Sequence, residues 1–234
     1  MKKTSKLMIK GFLAAVLLVS LTVGNAGNAD ASQAYPDVPK THKSEPNINF
    51  LTRHGIISGF TDNTFRPETP VTRAEASRII VGGADALGIK YPAKNKRPMI
   101  KFTDLKTEHW YSKPIQSMYE NRLINGFPNK SFRPGDTVTK AQLARMISDA
   151  FQMENATNVK LKYTDVKING WYEQAVKNLF AAGVITDQGT QFKPNHKMTR
   201  AEVSDYIAEA MLDNGAIMDD RDEEIVPWDG SLPN

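Results

Sequence analysis

FTDNTFRPETPVTRAE, at Phe60–Glu75, recurs twice in this chain, as FPNKSFRPGDTVTKAQ at Phe127–Gln142 and as QGTQFKPNHKMTRAE at Gln188–Glu202. Counted from the threonine near the end of each copy, the spacing is 67 residues from Thr72 to Thr139 and 60 residues from Thr139 to Thr199. A repeat of this length indicates one structural unit that is used three times. Whatever this phrase does, the chain needs it more than once.

The start of each unit is also recognisable. An aromatic residue precedes an aspartate by two positions, at Tyr35–Asp37, Phe102–Asp104 and Tyr163–Asp165. Apolar residues then recur at helical spacing, clearly in the second and third copies and more weakly in the first. The first helix is followed by Gly55 or Gly183 in the outer copies, since glycine suits a helix C-terminus, and by Arg122 in the middle copy. Each repeat therefore predicts a helix, an ordered loop and a second helix, and the fold class is mainly α.

The second helix of each repeat has a well-defined start. A threonine at the N-cap accepts a bond from the N–H three residues later, and a Glu or Gln at that position reaches back to the N–H of the threonine. All three copies fit this capping box, as the pairs Thr72/Glu75, Thr139/Gln142 and Thr199/Glu202. These six residues are therefore predicted to be structural.

A basic residue follows each capping threonine, as Arg73, Lys140 and Arg200. This first helical position is the positive end of the helix dipole, where a cation is disfavoured by up to ~1 kcal/mol. A basic residue at the same position in three divergent copies indicates a functional role. A helix N-terminus with free N–H groups beside a guanidinium is an anion site. The alternative is that each side chain covers neighbouring apolar surface or pairs with a structural aspartate. The dipole argument further predicts that Arg73→Ala leaves the melting temperature unchanged or slightly raised.

These motifs together resemble the S-layer homology (SLH) domain, in three tandem copies over about residues 33–212. The Thr-Arg-Ala-Glu signature is intact at Thr72–Glu75 and Thr199–Glu202, and reads Thr-Lys-Ala-Gln at Thr139–Gln142. The resemblance implies a pseudo-threefold spindle around a central helical bundle, with ligand grooves between adjacent repeats. It also implies non-covalent attachment to the Gram-positive cell wall. The implied ligand is a secondary cell wall polysaccharide whose terminal N-acetylmannosamine carries a ketal-linked pyruvate.

The expected ligand-binding residues recur at matching positions of the repeats. They are Arg73, Lys140, Arg200, Gly59, Gly126, Asp37, Asp104, Asp165, Trp110 and Trp171. The first copy has Lys43 in place of the tryptophan, and the third has Asp187 in place of the glycine. An acid at that position repels a carboxylate, so we expect Gly59 and Gly126 to line usable grooves and the site with Asp187 to be weak. The three aspartates of the repeat starts are expected either to cap the first helix or to line a groove.

The ends of the chain favour export to the cell surface. Residues 1–31 combine four lysines, an uncharged run at 11–23 and an Ala29-Asp30-Ala31 cleavage motif, which is typical of a secretory signal peptide. The repeats are assigned to residues 32–90, 99–154 and 160–212. Residues 213–234 carry one arginine against seven acids and are predicted to be an acidic tail. The absence of cysteine means that stability must come from packing across the repeats.

Catalysis finds little support in the sequence. The four histidines show no metal-ligand spacing, and no nucleophile elbow or phosphate loop is present. We therefore expect no enzyme activity, no cofactor, no metal and no nucleic-acid partner. Two functions remain open. The protein is either a carbohydrate-binding wall anchor or a surface scaffold that recruits another surface protein through its repeats or its acidic tail.

Overall fold

The computed structural model describes residues 35–91, 96–98, 100–106, 108–186 and 189–215. The predicted signal peptide and almost all of the acidic tail lie outside these residues. Six helices are present in the described part of the chain: α1 (Glu45–Arg53), α2 (Arg73–Ala86), α3 (Ser112–Glu120), α4 (Lys140–Ala150), α5 (Glu173–Ala181) and α6 (Arg200–Asp213). The predicted mainly α class and the helix–loop–helix pattern are confirmed. None of the helices in these ranges has the length and apolar character needed to cross a membrane.

The second helices of the three repeats form the centre of the fold. Helices α2, α4 and α6 contact one another, and each also packs against the first helix of another repeat: α2 against α3, α4 against α5 and α6 against α1. The first helix of each repeat therefore packs against the second helix of the preceding repeat, and not mainly against the second helix of its own repeat. The pair formed by α6 and α1 joins the last repeat to the first and closes the ring.

Backbone hydrogen bonds between the residues that precede the capping threonines complete this threefold arrangement. Val71 N–H donates to Met198 O (2.9 Å), Met198 N–H to Val138 O (3.1 Å) and Val138 N–H to Val71 O (2.9 Å). Antiparallel bridges flank this closed cycle, between Pro70 and Thr199, Thr72 and Thr137, and Thr139 and Lys197. The three side chains at the cycle are almost fully buried. Because each repeat supplies one donor and one acceptor, the cycle needs all three repeats.

The capping boxes are present as predicted. In each second helix the threonine accepts from the N–H of the third residue, and the Glu or Gln at that position accepts from the N–H of the threonine. The first helices differ, because none of them has a side-chain cap. The suggestion that Asp37, Asp104 and Asp165 cap these helices is therefore wrong.

These aspartates hold the loop between the two helices of their own repeat. Asp37 accepts from the N–H groups of Phe65 (2.8 Å) and Arg66 (2.6 Å). Asp104 binds Phe132 and Arg133 in the same way, and Asp165 binds Phe192 and Lys193. The basic residue of each pair has φ between 57° and 59°, a conformation that L side chains rarely adopt. Two hydrogen bonds to one carboxylate, together with the buried phenylalanine beside it, hold the strained residue in place.

Candidate ligand grooves between the repeats

A surface cavity of about 390 Å³ lies where the three repeats meet near Gly59. Its lining includes the Ser58–Phe60 turn of repeat 1, Trp110 of repeat 2 and Arg200 of repeat 3, together with Glu75 and Arg78 of α2. Trp110 is 55% exposed, so much of its indole is available for contact. We call this cavity the Gly59 groove. It brings together three predicted ligand-binding residues that lie in three different repeats.

Arg200 is built into the wall of this groove. Its side chain is only 8% exposed, Nε donates to Phe65 O (2.7 Å) and one terminal nitrogen donates to Ser58 O (2.8 Å). The guanidinium lies 4.4 Å from the ring centroid of Phe65 and 5.0 Å from that of Phe60. Desolvation lowers the pKa of this group from its ordinary value. Arg200 therefore joins repeat 3 to the loop of repeat 1 and also contributes positive charge to the groove.

Arg73 occupies the equivalent position at the next junction. It is 6% exposed, and its Nε donates to Phe132 O (3.0 Å) while a terminal nitrogen lies 3.5 Å from Asn125 O. Desolvation also lowers the pKa of its guanidinium. Asn125 immediately precedes Gly126, the counterpart of Gly59. We call the surface around Asn125, Gly126 and Arg73 the Gly126 groove.

Trp171 lies at the position of this junction that corresponds to Trp110. Arg145, the counterpart of Arg78, donates to the carbonyl oxygen of Trp171 (3.3 Å) and pairs with Asp149 on its own helix. Trp171 is 58% exposed, much like Trp110. By correspondence with the Gly59 groove, we assign to the Gly126 groove an arginine of repeat 1, a turn of repeat 2 and a tryptophan of repeat 3.

The helix N-termini do not provide free N–H groups, and this part of the sequence-based argument is wrong. Arg73 N–H donates to Asp136 O (2.8 Å), and Ala74 N–H donates to Pro134 O (3.1 Å). The corresponding groups of α4 donate to carbonyl oxygens of repeat 3, and those of α6 to carbonyl oxygens of repeat 1. The third N–H of each helix donates to the capping threonine. An anion at these grooves must therefore be held by side chains.

The glycines at the groove turns also have a packing role. A Cβ at Gly59 would lie 2.2 Å from the Tyr35 ring and 2.8 Å from Thr64 O, and one at Gly126 would lie 2.3 Å from the Phe102 ring and 2.8 Å from Ser131 O. Each glycine therefore admits the aromatic residue that begins its own repeat. The Tyr35 hydroxyl also accepts a bond from Gly59 N–H (2.7 Å). A side chain at Gly126 would disturb this packing.

The third junction departs from the other two at three described positions: those of the buried arginine, the second arginine and the tryptophan. Lys140 replaces the buried arginine, and its Nζ lies 4.9 Å from the centroid of the Phe192 ring. Asp205 stands at the position of Arg78 and Arg145, and it accepts from Ser44 Oγ (2.8 Å) and Asn47 Nδ2 (3.0 Å) of the first repeat. Lys43 stands at the position of the tryptophan. Asp187 lies outside the described residues, so its predicted effect on this site remains a prediction.

Sequence reasoning missed several groove residues. Arg78 and Phe60 line the Gly59 groove, and Arg66 stacks over Phe60 at 4.0 Å. Arg133 stacks over Phe127 at 3.8 Å in the same way. A signal was available, because Arg78 and Arg145 both follow the capping threonine by six residues. The sequence did not indicate which residues of different repeats share a groove, because this depends on how the ring closes.

The grooves offer two kinds of contact to a polar ligand. An exposed indole provides a flat apolar face, and arginine provides several N–H donors to carboxylate or hydroxyl groups. Among the residues that the structure describes, no group of three histidine, aspartate or glutamate side chains is placed to hold a metal ion.

Comparison with known proteins identifies the repeat. The family model described as S-layer homology domain matches residues 34–77, 101–144 and 162–204, which together make up more than half of the chain. S-layer protein EA1 of Bacillus anthracis is 28% identical over 211 residues, which cover 89% of this chain and 23% of that protein. The cellulosome-anchoring protein of Acetivibrio thermocellus is 27% identical over 167 residues, which cover 69% of this chain and 34% of the relative.

An enzyme is also among the relatives. An endoglucanase of a Bacillus species is 29% identical over 217 residues, which cover 88% of this chain and 22% of the endoglucanase. The chain spans about a quarter of the S-layer proteins and of the endoglucanase that it matches. With three matched segments, each made of the helix–loop–helix unit described above, the chain belongs to the S-layer homology domain family.

Proposed function

We propose that this protein attaches non-covalently to the cell wall by binding an acidic saccharide in the Gly59 and Gly126 grooves. The observation that carries the proposal is the convergence of an exposed tryptophan, a buried arginine and the glycine turn in one cavity. Relatives that include S-layer proteins and a cellulosome-anchoring protein support a role at the cell surface. The protein acts outside the cytoplasm in this proposal, in line with the predicted signal peptide.

The ligand we propose is a wall polysaccharide that ends in N-acetylmannosamine with a ketal-linked pyruvate. Trp110 stacks against the apolar face of the sugar, while Arg200 and Arg78 attract the pyruvyl carboxylate. Arg200 has five N–H donors, and the structure commits its Nε and one terminal nitrogen to carbonyl oxygens. The remaining terminal nitrogen is available for the carboxylate. Such charge-assisted bonds contribute roughly 1.5–3 kcal/mol each.

The two grooves are proposed as the working sites, because each combines a glycine turn, a buried arginine, a second arginine and a tryptophan. The third junction has lysine, aspartate and lysine at three of these positions, and its aspartate is engaged with Ser44 and Asn47. A side chain that already accepts two hydrogen bonds is held away from a ligand, and its charge repels a carboxylate. We therefore assign this junction to closing the ring rather than to binding.

Calorimetry with N-acetylmannosamine, with and without the ketal-linked pyruvate, tests the ligand. We expect the pyruvylated sugar to bind at least about tenfold more tightly, which corresponds to about 1.4 kcal/mol. Trp110→Ala should remove one of two binding events and Trp171→Ala the other, whereas Lys43→Ala should remove neither. Equal affinity for the two sugars would contradict the role of the carboxylate.

Binding to purified cell walls separates this function from the scaffold alternative. Walls stripped of their polysaccharide with hydrofluoric acid should lose the protein, while untreated walls should retain it. Retention on stripped walls would favour recruitment by another surface component. A specific observation gives that alternative some support, since Ile168 is 78% exposed and lies three residues before the exposed Trp171.

A further inference from the structure

The linker between the first two repeats places a second arginine at the Gly126 groove. Arg97 donates from one terminal nitrogen to Asn125 Oδ1 (2.9 Å) and from the other to Ile124 O (2.8 Å). Its guanidinium lies 4.1 Å from the Tyr119 ring centroid, and its own N–H donates to Glu120 O (2.8 Å). Four contacts therefore fix a linker residue against the turn that leads into Gly126.

Asn125 is held from two sides by this arrangement. Its backbone carbonyl faces a terminal nitrogen of Arg73 at 3.5 Å, and its side chain accepts from Arg97. The counterpart of Asn125 in the Gly59 groove is Ser58, whose carbonyl accepts from Arg200. Within the described residues, the Ser58 side chain has no hydrogen bond that corresponds to the one from Arg97 to the Asn125 side chain. The Gly126 turn thus has an additional support and an additional positive charge.

Two further differences between the grooves make the Gly126 groove more positive than the Gly59 groove. Glu75 lines the Gly59 groove, and its counterpart in the Gly126 groove is the neutral Gln142. Asp62 accepts from Thr64 and also pairs with Arg66 at 2.8 Å, whereas its counterpart Asn129 accepts from Ser131 but is neutral.

Two aspartates at the Gly126 groove have no acidic counterpart in the Gly59 groove and reduce its positive charge. Asp136 lies near Arg73, and Asp149 pairs with Arg145. The Gly59 groove then has three arginines against three carboxylates: Arg66, Arg78 and Arg200 with Asp37, Asp62 and Glu75. The Gly126 groove has four arginines against three carboxylates: Arg73, Arg97, Arg133 and Arg145 with Asp104, Asp136 and Asp149. The Gly126 groove is therefore the more basic.

We infer that Arg97 is a positioning and specificity-determining residue of the Gly126 groove. With it, this groove binds a carboxylate-bearing saccharide more tightly, and with steeper salt dependence, than the Gly59 groove does. The inference rests on the function proposed above. The physical reason is that an added guanidinium strengthens attraction to an anion, while its two hydrogen bonds keep the turn in one conformation before the ligand arrives.

Tryptophan indole N–H signals in NMR spectra of the full chain can follow each groove separately. Trp110 reports on the Gly59 groove and Trp171 on the Gly126 groove, and the variants Trp110→Phe and Trp171→Phe assign the signals. The probe is N-acetylmannosamine with a ketal-linked pyruvate. In the wild-type protein at low salt we expect a Kd at Trp171 that is about three- to tenfold lower than at Trp110. Added salt should reduce this difference.

Substitutions at Arg97 then separate charge from positioning. Arg97→Gln should weaken binding at Trp171 by about three- to tenfold and leave Trp110 unchanged. Arg97→Lys should keep most of the salt dependence but recover only part of the affinity, because an ammonium does not provide the two-pronged contact with Ile124 and Asn125. Lys96→Gln removes the same charge from an exposed neighbour in the linker, and it should have little effect at either signal.

The outcomes distinguish this inference from the proposed function. If Arg97→Gln leaves the Kd at Trp171 unchanged, or changes both signals equally, the role of Arg97 is contradicted while saccharide binding stands. If neither signal responds to the sugar in the wild-type protein, the proposed function fails and the inference fails with it. An unchanged response at Trp110 in each Arg97 variant shows that the fold is intact.

Discussion

At the scale of single residues, the basic residue after each capping threonine has a role that its position in the helix does not explain. Arg73 and Arg200 are buried in the junctions between repeats, where they donate to backbone carbonyl oxygens and lie over phenylalanine rings. The unfavourable helix dipole, worth up to ~1 kcal/mol, is smaller than the gain from a buried hydrogen bond to a charged group, about 1.5–3 kcal/mol. The alternative that these residues cover apolar surface was therefore closer to the structure than the free anion site.

This reverses the expected effect of Arg73→Ala on stability. Without the guanidinium, the carbonyl oxygens of Phe132 and Asn125 lose a donor, and the Phe132 ring loses a packed neighbour. We expect a loss of about 2–3 kcal/mol in the free energy of unfolding, measured by chemical denaturation. Arg78→Ala is the matched control, since Arg78 is an exposed residue of the same helix and should change stability by less than about 0.5 kcal/mol. An unchanged melting temperature in Arg73→Ala would restore the dipole argument.

At the scale of helices and loops, local sequence and tertiary contacts act together. The capping boxes are local, because their donors and acceptors lie within four residues. The left-handed exit of α3 is also local: Arg122 has φ 66°, the value that Gly55 has at the end of α1. The start of each first helix is different, since its expected cap, the aspartate, is used by a loop about 28 residues later.

The cap of α4 offers a direct test at this scale. Thr139→Ala removes the acceptor for the Gln142 N–H, and it should cost about 1 kcal/mol of unfolding free energy. Thr139→Ser keeps a hydroxyl at the same place and should retain most of the stability. Comparison of the two denaturation midpoints is the measurement. Equal losses in both variants would assign the effect to the threonine methyl group or the neighbouring bridge rather than to the cap.

Tyr91, in the segment after α2, holds that segment against the end of α4, and its ionisation can be measured. The Tyr91 hydroxyl donates to Ala150 O (2.8 Å) at the end of α4. Desolvation, followed by the nearby Asp85, raises the pKa of Tyr91 to about 12 from its ordinary value of 10.0. Because the folded state favours the protonated phenol, this contribution is fully present below pH 10 and is lost as the pH rises towards 12.

The pH dependence of Tyr91→Phe checks this assignment. The variant should be less stable than the wild type by about 1 kcal/mol at neutral pH, because it lacks the hydrogen bond. The difference between the two proteins should shrink as the pH rises from about 10 to 12. Urea denaturation of both proteins across this range is the measurement. A constant difference would mean that the hydroxyl does not contribute through its proton.

At the scale of the whole molecule, contacts and hydrogen bonds connect the three repeats in a closed ring. The backbone cycle of Val71, Val138 and Met198 needs all three repeats, and the contact of α6 with α1 closes the ring. Each groove likewise takes residues from several repeats. A single repeat has neither a complete groove nor a partner for both of its helices.

Removal of the third repeat should therefore unfold the other two. A chain that ends at residue 158 lacks the helix that covers α1 and the carbonyl that accepts from Val71 N–H. We expect no cooperative thermal transition and strong binding of a hydrophobic dye, in contrast to the full chain. Cooperative melting of the shortened chain, followed by circular dichroism, would show that the repeats fold independently.

The sequence by itself determined the repeat, the class of fold and the second helices. These features depend on contacts within a few residues, such as Thr199 with Glu202, and on apolar spacing along a single helix. The sequence also pointed to Gly59, Trp110 and Arg200, three of the residues that line the Gly59 groove, because they stand at fixed positions of the unit.

Only the tertiary structure decided how these residues combine. Along the chain each repeat has one departure: the first lacks the tryptophan, the second has lysine in place of arginine and the third lacks the glycine. The closed ring instead takes each groove from neighbouring repeats, so that Arg200 joins Gly59 and Trp110, and the departures at Lys43, Lys140 and Asp205 gather at the third junction. Nothing in the one-dimensional order shows this, because the residues of one groove lie up to 142 positions apart, as Ser58 and Arg200 do. Their proximity results from packing around the central helices and from the hydrogen bonds that close the cycle.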